Sequence, residues 1–344
     1  MSSAKGIRKF VARTLVALLP VALFVALYAW RDPFGVVHRF HGVSLEQGDS
    51  ILRFPNNRFT AYEALRIVDP DHRYDAFIFG SSVSEAFSTK TWKTFLPDST
   101  HTYHMSMASQ YLQGIEGDLR YLLSHGWNVR HALIIIEAPM LDHRAQPDLI
   151  PKTPYYKASD DTDAFAWHTL FFNGFRDPEI FLYSLFPKKM ETRLVNNQKL
   201  ARVKQSGHDP LTNEWQFGAM DSLLLANPRA FYQKKFNHDL HPRYFQLPDR
   251  PRIKGGKARS LRRLAKLLRE HNIDYRIIIP PLYQYPAMQP IDYAKLMEIF
   301  GAERVFNFSD DAALSTQYGA FYDGTHMSSV FCDSLIRRAY TPTF

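Results

Sequence analysis

The chain carries one cysteine, Cys332, in 344 residues. That excludes an intramolecular disulfide framework and any cysteine-based zinc cluster. No acidic residue precedes Asp32, so Lys5, Arg8, Lys9, Arg13 and Arg31 supply +5 of the formal +8 net charge. The remainder, near +3, is too mild for a nucleic-acid surface, and no nucleic-acid partner is expected. Internal repeats and low-complexity tracts are also missing, which argues against a solenoid or a disordered chain. What is present, 45% hydrophobic and 22% charged residues, describes a folded protein with a large core.

Charge is absent again from Thr14 to Trp30, where Leu, Val, Ala and Phe dominate. That run lies at the short end of what crosses a hydrocarbon core. Extending it back through Val11 and Phe10, with Arg13 snorkelling, gives a span over residues 10–30. The basic cluster comes first, which keeps the N-terminus cytoplasmic and exports the rest of the chain. Tyr28 and Trp30 suit the far interface, and Pro20 is tolerated in a membrane helix. A buried helix of a soluble protein and a cleaved signal peptide are the competing readings. The one candidate processing site, Leu27-Tyr28-Ala29, is a poor small-x-small match. Residues 1–31 are therefore read as a cytoplasmic tip and an uncleaved single-pass signal anchor.

Residues 32–73, punctuated by Pro33, Gly35, Pro55 and Pro70, read as a stalk and lead-in. An α/β rhythm then begins. Tyr74–Gly80 is an apolar strand feeding a helix over 83–96. His101–Met107 is a second strand, 110–124 a helix, and Ala132–Ala138 a third strand of continuous apolar character. The rhythm resumes with an amphipathic basic helix over 257–270, a strand over Tyr275–Ile279 stopped by Pro280-Pro281, and a helix over 291–300. A short strand over 304–308 and a closing helix after His326 complete it. Alternation of this kind implies a three-layer α/β domain over 74–344, a parallel sheet with helices on both faces. Residues 139–255, rich in aromatics and prolines, break the rhythm and read as an inserted cap or substrate-binding region.

Two motifs carry chemistry. Phe79-Gly80-Ser81-Ser82-Val83-Ser84-Glu85 ends a strand, turns on a glycine and puts a serine at a helix start. That is where open parallel sheets bind ligands, and where backbone N–H groups can stabilise an oxyanion. Taken alone it is equally a helix cap. Near the C-terminus, Asp323-Gly324-Thr325-His326 sets an aspartate three residues before a histidine. The carboxylate can hold the imidazole in one tautomer and leave the other nitrogen free as a base. Fourteen histidines invite a metal reading, yet no HExxH appears. The best remaining pair, His238-Asp239-Leu240-His241, reads as a solvated loop. The basic set Arg262, Arg263, Lys266 and Arg269 is either a solvated helix face or a site for anionic polymer or phospholipid head groups. No metal or cofactor is called for.

Together the two motifs resemble those of the SGNH (GDSL-type) hydrolase superfamily. Gly80-Ser81-Ser82 matches its Gly-Asp-Ser block, with Ser81 in the aspartate's place, and Asp323-Gly324-Thr325-His326 matches its closing Asp-x-x-His. The resemblance covers 74–138 and 257–340. It implies a flavodoxin-like three-layer fold and a triad of Ser82 as nucleophile, His326 as base and Asp323 as orienter. The glycine of the second block and the Gly-x-Asn-Asp of the third, which complete the superfamily's oxyanion hole, have no counterpart after the second and third strands. Ser106 is the second-block candidate donor. Glu137, at the third strand's end, either lines the cleft or pairs with a basic neighbour.

The Ser-Ser form, the anchor and the aromatic insertion resemble more narrowly the membrane-anchored DltD-like and alginate O-acetyltransferase-like proteins. That likeness implies a protein of the bacterial cytoplasmic membrane with its main domain periplasmic. It would transfer an acyl group, acetyl by analogy, to a cell-envelope or secreted polysaccharide through an acyl-serine. A membrane-bound O-acyltransferase partner is implied in the same way. An esterase or deacetylase using water as acceptor, and a non-catalytic assembly protein that keeps the fold, are the alternatives.

Overall fold

A computed structural model describes residues 2–38, 51–53, 56–160, 162–186, 203–205, 207–236, 250–283, 285–311, 314, 317 and 319–341. The His238…His241 pair lies outside them.

Five short strands form one parallel sheet: β1 (Ala76–Gly80), β2 (Thr102–Ser106), β3 (His131–Ile135), β4 (Asp274–Ile279) and β5 (Val305–Asn307). Their order is β2-β1-β3-β4-β5, every pairing parallel. All five residues of β1 are buried, as the unbroken run AFIFG requires of a strand covered on both faces. Alternation along the strands divides two cores. Phe77, Phe79, Tyr103, Met105, Ile134 and Ile277 point to one side. Ala76, Ile78, Leu133, Ile135 and Ile278 point to the other.

The first core is closed by α2 (Asn57–Val68), α4 (Leu112–Ser124), α9 (Gly256–Glu270) and α10 (Pro290–Phe300); the second by α3 (Thr89–Lys93) and α11 (Ser329–Tyr340). On α9 the stripe Leu261, Leu264, Ala265 and Leu268 is buried, as its helical spacing predicts. Its basic face is occupied by the protein itself. Arg263 pairs with Glu116 at 2.9 Å, Arg262 with Glu298 at 3.7 Å and Lys266 with Glu270 at 3.5 Å, while Arg269 donates to the Ile299 carbonyl.

Before the sheet stands α1 (Ser2–Arg31), whose Gly6–Arg31 portion is long and apolar enough to cross a membrane. The described part of the segment expected as stalk and lead-in packs with the domain instead. Phe34, Phe59 and Leu65 are buried in the first core. Asn56 caps α2 by accepting from the Phe59 N–H at 3.0 Å, while its amide donates to the carbonyls of Ile150 and Thr153 at 2.8 Å. The flanking prolines hide the helical spacing of these apolar residues.

The single helix expected over 83–96 is broken. A 3₁₀ turn covers Ser82–Ala86, and α3 begins afresh at Thr89, capped by Ser88. Serine side chains cause the break, since Ser81, Ser84 and Ser88 each bond to nearby backbone in place of a continuous ladder.

Among the described residues, 139–255 contributes two helix pairs, a hairpin and a strand, Val203–Gln205, that pairs antiparallel with Ile51–Arg53. Helices α5 (Ala164–Phe175) and α6 (Pro178–Leu185) meet the end of α1 through Phe172, Phe175 and Phe181. The short strands His208–Asp209 and Glu214–Trp215 form a hairpin whose Thr212 carbonyl accepts from the His104 N–H, covering the open edge of β2. Helices α7 (Gly218–Ala226) and α8 (Pro228–Phe236) lie on the second core.

Candidate active site

Ser82 follows β1 directly, and two features fix the turn that presents it. Gly80 is needed for space rather than for an unusual backbone angle: a Cβ there would lie 2.6 Å from the Ser84 Cβ. The Ser81 hydroxyl caps the 3₁₀ turn by accepting from the Val83 N–H at 3.1 Å, and Ser84 Oγ donates to the Ser81 carbonyl at 2.7 Å. From below, buried His104 donates through Nε2 to the Ser84 carbonyl at 2.8 Å. Burial, the largest influence, drives its pKa down to about 4, so this imidazole is a neutral strut.

The second half comes from the loop between Phe321 and Met327, closed by the bond from the Tyr322 N–H to the His326 carbonyl. Inside it, Asp323 Oδ1 accepts from the N–H groups of Thr325 (2.8 Å) and His326 (2.9 Å) and from the Thr325 hydroxyl (3.0 Å). His326 Nδ1 lies 2.9 and 3.0 Å from the two Asp323 oxygens. A carboxylate partner requires Nδ1 to carry the proton, leaving Nε2 as acceptor. Nε2 lies 3.1 Å from Ser82 Oγ. Burial opposes ionisation of Asp323, but the bonds from His326 and Thr325 outweigh it and hold the carboxyl well below the usual range.

The structure thus brings Ser82, His326 and Asp323 into one hydrogen-bonded row at the carboxyl end of the sheet. The Ser82 N–H opens the 3₁₀ turn, where a helix leaves its donors unclaimed.

Ser106 and Glu137 lie apart from that row. Ser106 sits opposite Gly80 on β2, lining a separate cavity of about 30 Å³ with Glu85, His208 and Trp215. Of the two expectations for Glu137, a basic neighbour is present in His326. Glu137 is buried, and it accepts a hydrogen bond from the Ser81 hydroxyl within electrostatic reach of His326. Burial, chiefly, pushes its pKa up to about 7, and its Oε2 has no hydrogen-bond partner.

Three contributors escape sequence reasoning. Thr325 stands within the motif, so its position was visible and its hydroxyl's role was not. Asp221 on α7 accepts from the hydroxyls of Tyr322 and Ser329, and Tyr232 on α8 donates to the Phe321 carbonyl at 2.9 Å. Neither has a local signal, since each lies about ninety residues or more from the loop it braces. Among the described residues, no three His, Cys, Asp or Glu side chains converge as a metal site would need. No protein-family model matches this chain, and no curated protein matches it.

Proposed function

We propose that the protein is a serine-dependent acyl-transfer enzyme of SGNH type. The observation that carries this reading is the 3.1 Å separation of Ser82 Oγ from His326 Nε2, with both Asp323 oxygens at the far ring nitrogen. The strand order supports it too. Numbered in chain order, 2-1-3-4-5 is the flavodoxin-like arrangement, whose switch point falls between the strands that precede Ser82 and Glu137.

In the reaction, Ser82 Oγ attacks the carbonyl carbon of an acyl ester while its proton passes to His326 Nε2. The Ser82 N–H donates to the oxyanion that forms. Asp323 steadies the resulting imidazolium without taking its proton. Collapse breaks the bond to the leaving alcohol, which takes the proton from His326 and leaves an acyl-serine. An acceptor hydroxyl then gives its proton to His326 and attacks the acyl carbon, which regenerates Ser82. Extracytoplasmic placement behind the α1 anchor, acetyl as the acyl group, an envelope polysaccharide as acceptor and a membrane-bound O-acyltransferase as donor partner complete the proposal. They rest on the resemblance of Gly80-Ser81-Ser82 and Asp323-Gly324-Thr325-His326.

A chromogenic acetyl ester, assayed with and without an oligosaccharide acceptor, tests the reaction. Transfer product exceeding hydrolysis supports a transferase, whereas release of free acetate alone makes the protein an esterase. Ser82→Ala should abolish both, and unchanged turnover in that folded variant rejects the enzyme reading. Asp323→Asn should lower kcat on the order of 10⁴-fold by permitting the wrong tautomer of His326.

A further inference from the structure

We infer that helices α5 and α6 form an interfacial foot, laid into the same bilayer that α1 crosses; the inference rests on α1 being a membrane anchor. Phe24 of α1 packs against Phe172 (5.7 Å between ring centres), Phe175 (4.9 Å) and Phe181 (5.6 Å). An α-helix rises 1.5 Å per residue, so Phe24 lies roughly 9 Å deeper along the axis than Trp30. If Trp30 marks the interface, the rings that touch Phe24 lie at that depth, which is where interfacial helices bury their apolar face.

The rest of the two helices fits such a seat. Ala164–Phe175 contains no Asp, Glu, Lys or Arg. Phe165 stands seven residues before Phe172, on the same helical stripe, and is 83% exposed. On α6, Leu185 stands four residues after Phe181; Leu182, Leu185 and the adjoining Phe186 are all exposed. Groups this apolar, continuous with the membrane helix, call for lipid rather than water. The charged residues Asp163, Arg176, Asp177 and Glu179 lie at the helix ends, Glu179 in the first turn of α6. The Arg31 guanidinium, which donates to the Ser184 carbonyl at 2.5 Å, fastens the foot at its headgroup side.

The test uses the full chain in phosphatidylethanolamine–phosphatidylglycerol vesicles, with Cys332, which is buried, left in place. Nitroxide labels are placed by Phe165→Cys, Leu182→Cys, Val16→Cys within α1, and Lys266→Cys as a water-exposed reference. Collision with oxygen, enriched in lipid, is compared with collision with a water-soluble nickel chelate. Labels at 165 and 182 should fall between Val16→Cys and Lys266→Cys, with an oxygen preference several-fold above Lys266→Cys. Labels there that behave like Lys266→Cys, while Val16→Cys remains lipid-like, overturn the foot and leave the anchor standing. A water-like Val16→Cys overturns both. Shielding from both reagents that rises with protein density assigns the surface to a second copy of the chain and overturns the lipid seat.

Discussion

Burial opposes the ionisation of Glu137, as it does that of Asp118 on α4. An unfolded glutamate titrates near 4.5 and this one near 7, so the native state holds its proton over the interval between. Its contribution to stability is therefore fully present below pH 4.5 and is lost as pH rises through 7. Glu137→Gln should decline less than the native protein over that interval, since the contribution of Asp118, likewise raised to about 7, is lost in both. The difference in denaturant stability should grow to about 3 kcal/mol on the alkaline side, at about 1.4 kcal/mol per pKa unit. Parallel pH curves for the two proteins count against it. Gly80 makes a second residue-level case. Gly80→Ala should displace the turn that carries Ser82 and cut activity sharply, because the new Cβ meets Ser84. Adding Ser84→Gly removes that neighbour and should restore part of the loss, a coupling that a double-mutant cycle reads directly. The motif showed that a glycine stood before the serines. It could not show that Ser84, four positions on, sets the need for it, nor that Ser81 shares its hydroxyl between Val83 and Glu137.

At the scale of elements, the strands were legible because short apolar runs such as AFIFG and HALII, alternating with helical stretches, suit strands covered on both faces. The helix after β1 was not, because its serines satisfy backbone groups locally. Nor was the work of 217–236. That part of the insertion is a brace: Phe217 stacks on Tyr322 with ring centres 5.2 Å apart, and Asp221 takes two hydroxyls from the segment around His326. Removing that acceptor leaves buried hydroxyls without their partner, at about 1–3 kcal/mol for each. Asp221→Ala should accordingly lower the melting temperature and reduce kcat while KM changes little, since Asp221 touches the loop and not the triad. A rise in KM alone places α7 in substrate binding instead.

For the whole molecule, the proposed topology, with the basic end of residues 1–31 cytoplasmic and the rest exported, can be tested directly. A C-terminal alkaline phosphatase fusion should be active and a C-terminal green fluorescent protein fusion dark, with the chain resisting extraction by alkaline carbonate. The reverse fluorescence pattern refutes export. The long apolar helix was readable from the absence of charge alone, whereas its contacts with α5 and α6 depend on residues far along the chain. The same distance governs reactivity. Ser82 and His326 are 244 positions apart, so under the proposed export and chemistry a chain still crossing the membrane carries no competent nucleophile for most of its passage. Only the last stretch to emerge would then arm it, which would spare the acyl esters of the surrounding lipids.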